Sequence, residues 1–276
     1  MAKRIKLKKP DTARIFYQGP SFLPGSEGIE IIGVITFGSK NKKTGNTWTI
    51  YYFPSSVLNV EMKDGGLLKH LIHEGNDKAA CLGCIHGSQG DQDCYVLPTM
   101  FKGNSRMIEG LQRRGQDAYI SMELLLALLQ EYLPKVRFGG YGDPVSLPLY
   151  LSQQIVTAAQ GNVLGYTHAW NRIPLDDRSL YAKFLMASVD SEMQAAFAQA
   201  KGWRTFRVGQ KGKDKPTKAE FNCPASKEMK EKIGKVITCE DCGLCKGQLA
   251  TTNKSTFILS HGAFSNRYNP LKVLVA

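Results

Sequence analysis

The sequence predicts an α/β protein built around a parallel sheet, and three observations carry the prediction. From residue 136 onward, strand-like and helical stretches alternate: KVRFGGYGD, LPLYLSQQIVTAAQ, NVLGYTHAW, FLMASVD, SEMQAAFAQAKG and WRTFRV. Repeated βα units of this kind fold onto a parallel sheet. The first eighty residues read instead as β-rich and turn-rich, and the last part of the chain concentrates cysteine. The expected organisation is a β-rich region over 1–80, a (β/α) core over 81–222 and a cysteine-rich metal segment over 223–276.

Each element has a local reason. EIIGVITFGS and NTWTIYYFP carry the β-branched and aromatic residues of strands, and KKTGN between them has hairpin chemistry. LLKHLIHEG reads as a short helix ended by glycine. SRMIEGLQRRG has helical spacing, and SMELLLALLQEYL is a helix that stops before Pro134. FNCPAS, VITCEDC and TFILSHG are short strand candidates beside cysteines or a histidine.

Composition bounds the function. The 276 residues are 42% hydrophobic and 22% charged, ordinary globular values. The basic opening MAKRIKLKKP is followed by no apolar run or cleavage site of a secretory signal. The longest apolar run, Tyr119 to Leu133, is too short to span a bilayer, so a cytoplasmic protein without a membrane partner is expected. A net charge of +12 makes nucleic acid or a nucleotide the first partner class to test, because cationic surfaces meet phosphate. The lysines cluster in the first nine positions and between residues 209 and 235, where solvated tails or loops explain them equally.

Seven cysteines, an odd count with no secretory signal, argue for metal or redox thiolates over a disulfide framework. Cys81, Cys84 and Cys94 form one set with C-x2-C-x9-C spacing. Three thiolates suit a four-iron cluster with one open iron, or a Cys3His zinc site completed by His86 or His73. Cys223, Cys239, Cys242 and Cys245 form the second set, with two CxxC steps and His261 as a substitute ligand. Zinc and an iron–sulfur cluster fit its chemistry equally.

The expected strand ends hold the other candidates. RFGGYGDP places Gly139, Gly140, Gly142 and Asp143 where a ligand can approach backbone closely and a carboxylate can take an ammonium group. The alternative is a tight turn whose aspartate caps the next helix. His168 in YTHAW reads as an acid–base or substrate contact, or as a structural histidine. Asp190 and Ser188 close the strand MASVDS. Arg137, Arg204 and Arg207 suit phosphate, carboxylate or structural ion pairs.

The order of these parts resembles the radical S-adenosylmethionine superfamily, and is close to small phage-encoded proteins with the same cysteine order. The resemblance covers roughly residues 81–262. It implies a partial (β/α) barrel of radical-SAM type. It implies a [4Fe-4S] cluster on Cys81, Cys84 and Cys94, and S-adenosylmethionine held by Gly139, Gly140, Gly142 and Asp143 and facing Ser188 and Asp190. An auxiliary cluster on the second set also fits it. The cysteine spacing of two then nine and the aspartate in place of glutamate depart from the superfamily's usual pattern. Two other readings stand beside it. One is a zinc-containing barrel transglycosylase with Asp143 and Asp190 as nucleophile and general acid–base. The other is a metal-stabilised nucleic-acid-binding or inhibitor protein.

Overall fold

The computed structural model describes residues 6–39, 41–84, 86–90 and 96–260. Cys94 and His261 lie outside them. The chain folds as a mixed α/β protein with two five-stranded sheets rich in parallel pairing.

The first sheet has the order β1 (Arg14–Pro20), β2 (Glu30–Thr36), β3 (Trp48–Pro54), β4 (Val136–Arg137) and β5 (Val163–Leu164). Its first three strands are antiparallel, and β3, β4 and β5 then run parallel. The ladder therefore crosses residue 80, and the N-terminal strands share a sheet with the βα units. The second sheet is parallel throughout: β6 (Tyr166–Thr167), β7 (Met186–Val189), β8 (Thr205–Gly209), β10 (Ser255–Leu259) and β9 (Glu220–Asn222).

Only Gly165 separates β5 from β6. On one side Phe138 N–H donates to Leu164 O (2.8 Å), and on the other Met186 N–H donates to Gly165 O (3.0 Å). Backbone pairing thus passes from one sheet to the next along a single segment. A Cβ at residue 165 would lie 2.9 Å from both Phe138 Cβ and Leu185 Cδ2, so glycine lets the neighbours close there.

Helices cover the strands. The chain has α1 (Gly66–Leu68), α2 (Lys78–Cys81), α3 (Val96–Arg114), α4 (Met122–Tyr132), α5 (Leu149–Ala158), α6 (Leu175–Phe184), α7 (Glu192–Ala200), α8 (Lys227–Ile233) and α9 (Cys239–Cys242). Ser121 caps α4 by accepting from Leu124 N–H, and Ser191 caps α7 by accepting from Gln194 N–H.

β2 is buried on both faces. Ile31 and Ile35 enter a core with Leu125, Leu128, Leu151 and Ile155, while Ile32 and Val34 enter another with Leu67, Leu71, Ile108 and Leu111. Each such side chain taken from water contributes about 1.5–3 kcal/mol. Burial on both faces explains why this strand reads as a continuous apolar run rather than an alternating one.

Several expectations shift. KVRFGGYGD keeps only Val136–Arg137 as strand, and the chain then bends, with Gly139 and Gly142 at positive φ. VITCEDC is not a strand: Cys239–Cys242 form one helical turn, because Thr238 and Asp241 make a reciprocal capping box. Residues 69–73, expected as helix, are π-helical. No helix among the described residues is long and apolar enough to cross a membrane.

Candidate functional site

The carboxyl ends of β4 and β6 are joined through Asp143, β6 pairs with β7, and the segment after α2 reaches the β7 end through His86. Three backbone features fix the β4 end. Gly140 N–H donates to Ile50 O (2.7 Å), Tyr52 N–H to Tyr141 O (2.8 Å) and Asp143 N–H to Ala80 O (2.7 Å). The last bond ties the Gly-Asp turn to α2, the helix that ends in Cys81. Gly142 is required here, because a Cβ would meet Tyr52 O at 2.6 Å and its φ is +78°.

Asp143 is 8% exposed and its carboxylate is heavily engaged. Val145 N–H donates to Oδ1 (3.0 Å), and the Thr167 hydroxyl spans both oxygens (2.7 and 2.9 Å). His168 N–H donates to Oδ2 (2.8 Å). The side chain caps the short 3-10 turn Pro144–Ser146 and latches the end of β4 to the end of β6. Thr167 Oγ1 in turn accepts from Ala169 N–H (2.9 Å).

The segment carrying Cys81, Cys84 and His86 is folded by buried Asp77. Its carboxylate accepts from Ser88 N–H (2.9 Å) and from the Ser88 hydroxyl, and Cys84 N–H donates to Cys81 O (3.0 Å). Arg172 clamps the same segment to the rest of the fold by donating to Leu82 O and to Pro24 O (2.9 Å). His86 is thereby delivered to β7, with its Nε2 3.4 Å from Oδ1 of buried Asp190. The His86 and His168 rings stand edge to face, 6.0 Å between centroids. Asp190 N–H donates to the Gln194 side chain (2.8 Å), and the Trp170 indole donates to Ser188 O (3.1 Å).

The structure thus brings Asp143, Thr167, His168, Asp190, His86 and the Cys81–Cys84 turn to one region. Gly139 and Gly140 form the turn beneath it, and Ser188 contributes its carbonyl to Trp170. The pairing of His86 with Asp190 is not readable from the sequence; the available signal is that His86 follows Cys84 by two residues in a turn-rich loop. His70 belongs elsewhere, its Nε2 2.8 Å from Ser56 Oγ and its Nδ1 3.1 Å from Glu74. Arg207 makes a buried ion pair with Glu220, Arg204 donates to carbonyls, and Arg137 meets Tyr166.

Burial holds His168 below its ordinary value of 6.5; Asp190 pushes it back up, while His86 lowers it further. His168 is therefore expected to stay neutral at pH 7. Folding then excludes a proton that the unfolded chain accepts, so this residue's contribution to stability is present above pH 6.5 and is lost as pH falls through the folded value. A nitrogen-15 NMR titration of the ring checks this. Asp190→Asn is expected to lower the His168 value further, and an unchanged or raised value overturns the assignment.

The second cysteine set lies elsewhere. Cys223, Cys239, Cys242 and Cys245 sit close enough to act on one another electrostatically. Burial pushes the Cys223 thiol up to about 11, Lys43 and the Ala225 N–H pull against it, and Cys239 and Cys242 raise it further. Burial likewise raises Cys242 and Cys245. Among the described residues no three His, Cys, Asp or Glu side chains are grouped as they stand to hold a metal ion.

No protein-family model, curated protein or solved structure matches the chain.

Proposed function

We propose that the protein is an iron–sulfur, S-adenosylmethionine-dependent radical enzyme working at the carboxyl ends of β4, β6 and β7, with a nucleic acid or nucleotide as substrate class. One observation carries the reading: the cysteine-bearing segment is docked onto these strand ends through Asp143 N–H to Ala80 O and His86 to Asp190. Binding groups on a parallel sheet gather at such ends. Cys81 and Cys84 supply two thiol ligands on adjacent turns, and Cys94 is assigned as the third.

When bound, such a cluster supplies the electron that cleaves the sulfonium carbon–sulfur bond. The chain's own residues hold and orient. Asp143 is committed to Thr167, His168 and Val145, so its part is to fix the strand ends, with Gly139, Gly140 and Gly142 leaving room for close approach to the backbone. Asp190 with His86 is the pair able to hold or move a proton near substrate. The surplus positive charge supports a phosphate-bearing substrate.

Anaerobic reconstitution with iron and sulfide should give a brown protein that forms 5′-deoxyadenosine under dithionite, and Cys84→Ser should reduce that product to background. Full iron loading without any product would sink the reading. A zinc-bearing enzyme using Asp190 for acid–base chemistry is the second reading, favoured by the His86–Asp190 contact. A colourless protein that carries zinc and stays active would establish it.

A further inference from the structure

We propose that Cys223, Cys239, Cys242 and Cys245 hold a thiophilic metal centre, a zinc ion or an iron–sulfur cluster, that clasps the β2–β3 hairpin to the far strands of the second sheet. This centre is independent of the chemistry at the strand ends.

Burial favours the thiol form of Cys223, Cys242 and Cys245, so a binding metal must displace their protons. Ala225 N–H donates to the Cys223 sulfur and Leu244 N–H to the Cys242 sulfur, each from two residues ahead. These contacts offset only part of the effect of burial, and they orient the sulfurs before metal arrives. Cations face the same group: Lys43 acts on Cys223, and Lys135 acts on Cys242. Four thiolates around a dication leave two negative charges, which two lysines are placed to meet.

Backbone connections bring together the segments that carry the four thiols. Cys239 N–H donates to Lys43 O (2.9 Å) and Glu240 N–H to Thr44 O (3.1 Å), while Asn46 N–H donates to Glu240 Oε2 (2.7 Å). Lys135, just before β4, donates to Glu240 O. The α9 turn is therefore fastened to the hairpin of the first sheet. Cys223 follows β9 and donates its N–H to Phe257 O on β10 (2.7 Å), and Cys245 Sγ lies 3.8 Å from the Thr256 hydroxyl. Cys245 O also accepts from Gly165 N–H (2.9 Å) at the junction of the sheets. Four thiols thus come from three places that this segment joins.

The segment also lacks a core of its own. From residue 224 to 246 the only buried side chain is Ser226, and α8 buries none. A stretch that orders itself without apolar burial needs another source of free energy, and metal ligation supplies it in small cysteine-rich folds. Ligation closes the four sulfurs around the centre, each thiol releasing its proton to solvent as its sulfur–metal bond forms.

The test uses the full chain in a Cys84→Ser background, so that loss of the strand-end centre does not enter. Metal analysis with a visible spectrum should show a centre that persists there and disappears on adding Cys242→Ser, with zinc colourless and iron–sulfur brown. Hydrogen exchange should show residues 41–46 and 239–245 opening about tenfold faster after chelation, with β7 unaffected, and recovering when metal is returned. Should Cys242→Ser fail to fold, chelation and readdition in the Cys84→Ser protein supply the same comparison. Retention of the metal in the double variant, or hairpin exchange indifferent to metal, overturns the proposal.

Discussion

Replacing Glu220 with glutamine is expected to destabilise the protein by about 3–5 kcal/mol, because it leaves a buried guanidinium without its counter-charge. Arg207 and Glu220 side chains are each 1% exposed and form a two-point pair, Nε to Oε1 at 2.8 Å and a terminal nitrogen to Oε2 at 2.7 Å. The guanidinium also donates to Lys215 O (2.7 Å) and lies 4.5 Å from the Phe257 ring centroid, and Thr217 N–H donates to Glu220 (2.8 Å). Of the other carboxylates acting on Arg207, Glu192 at 3.8 Å is 64% exposed and compensates poorly. Arg207→Met combined with Glu220→Leu should recover most of the loss, since removing both charges also removes their desolvation cost. Urea denaturation midpoints measure both variants, and a wild-type midpoint in Glu220→Gln would refute the stabilising role of the pair.

The same pair gives a pH dependence whose sign is fixed. Burial alone would raise the Glu220 carboxyl, but hydrogen bonds and charge contact with Arg207, helped by Thr217, outweigh it and hold the carboxyl below its ordinary value of 4.5. The folded state binds its proton later than the unfolded chain. The stabilisation is therefore complete above 4.5 and is lost as pH falls through the lower folded value.

How far the sequence reaches is clear from particular residues. The alternation after residue 136 was legible because each βα unit carries its own period, and the strands there pair in parallel. The seam at Gly165 was not legible: nothing local distinguishes one bent strand from two, and the choice depends on Leu185 and Phe138 packing against the glycine. VITCEDC misled because its apolar start suits a strand, whereas the Thr238–Asp241 capping box decides for a helical turn. At the strand ends, the Gly-Asp turn and His168 could be found from position alone. The contact of His86 with Asp190 could not, since it joins residues 104 apart in sequence.

Asp143, as the latch between the ends of β4 and β6, should be costly to remove. Asp143→Ala should cost about 3 kcal/mol or more, because the Thr167 hydroxyl and the N–H groups of Val145 and His168 lose their acceptor in a region closed to water. Asp143→Asn should cost less, since its carbonyl still accepts on one side while its amide NH2 opposes a donor on the other. Thr167→Val removes the other half of the latch, so a double-mutant cycle with Asp143→Ala should show coupling of about 0.5–3 kcal/mol. A residue whose only task was to meet a ligand would behave differently: its alanine variant would keep the wild-type denaturation midpoint and lose binding alone. Because the latch also holds the His168 backbone, Asp143→Ala is expected to move the His168 titration as well as the midpoint. Stability loss without any change at His168 would confine Asp143 to capping the Pro144–Ser146 turn.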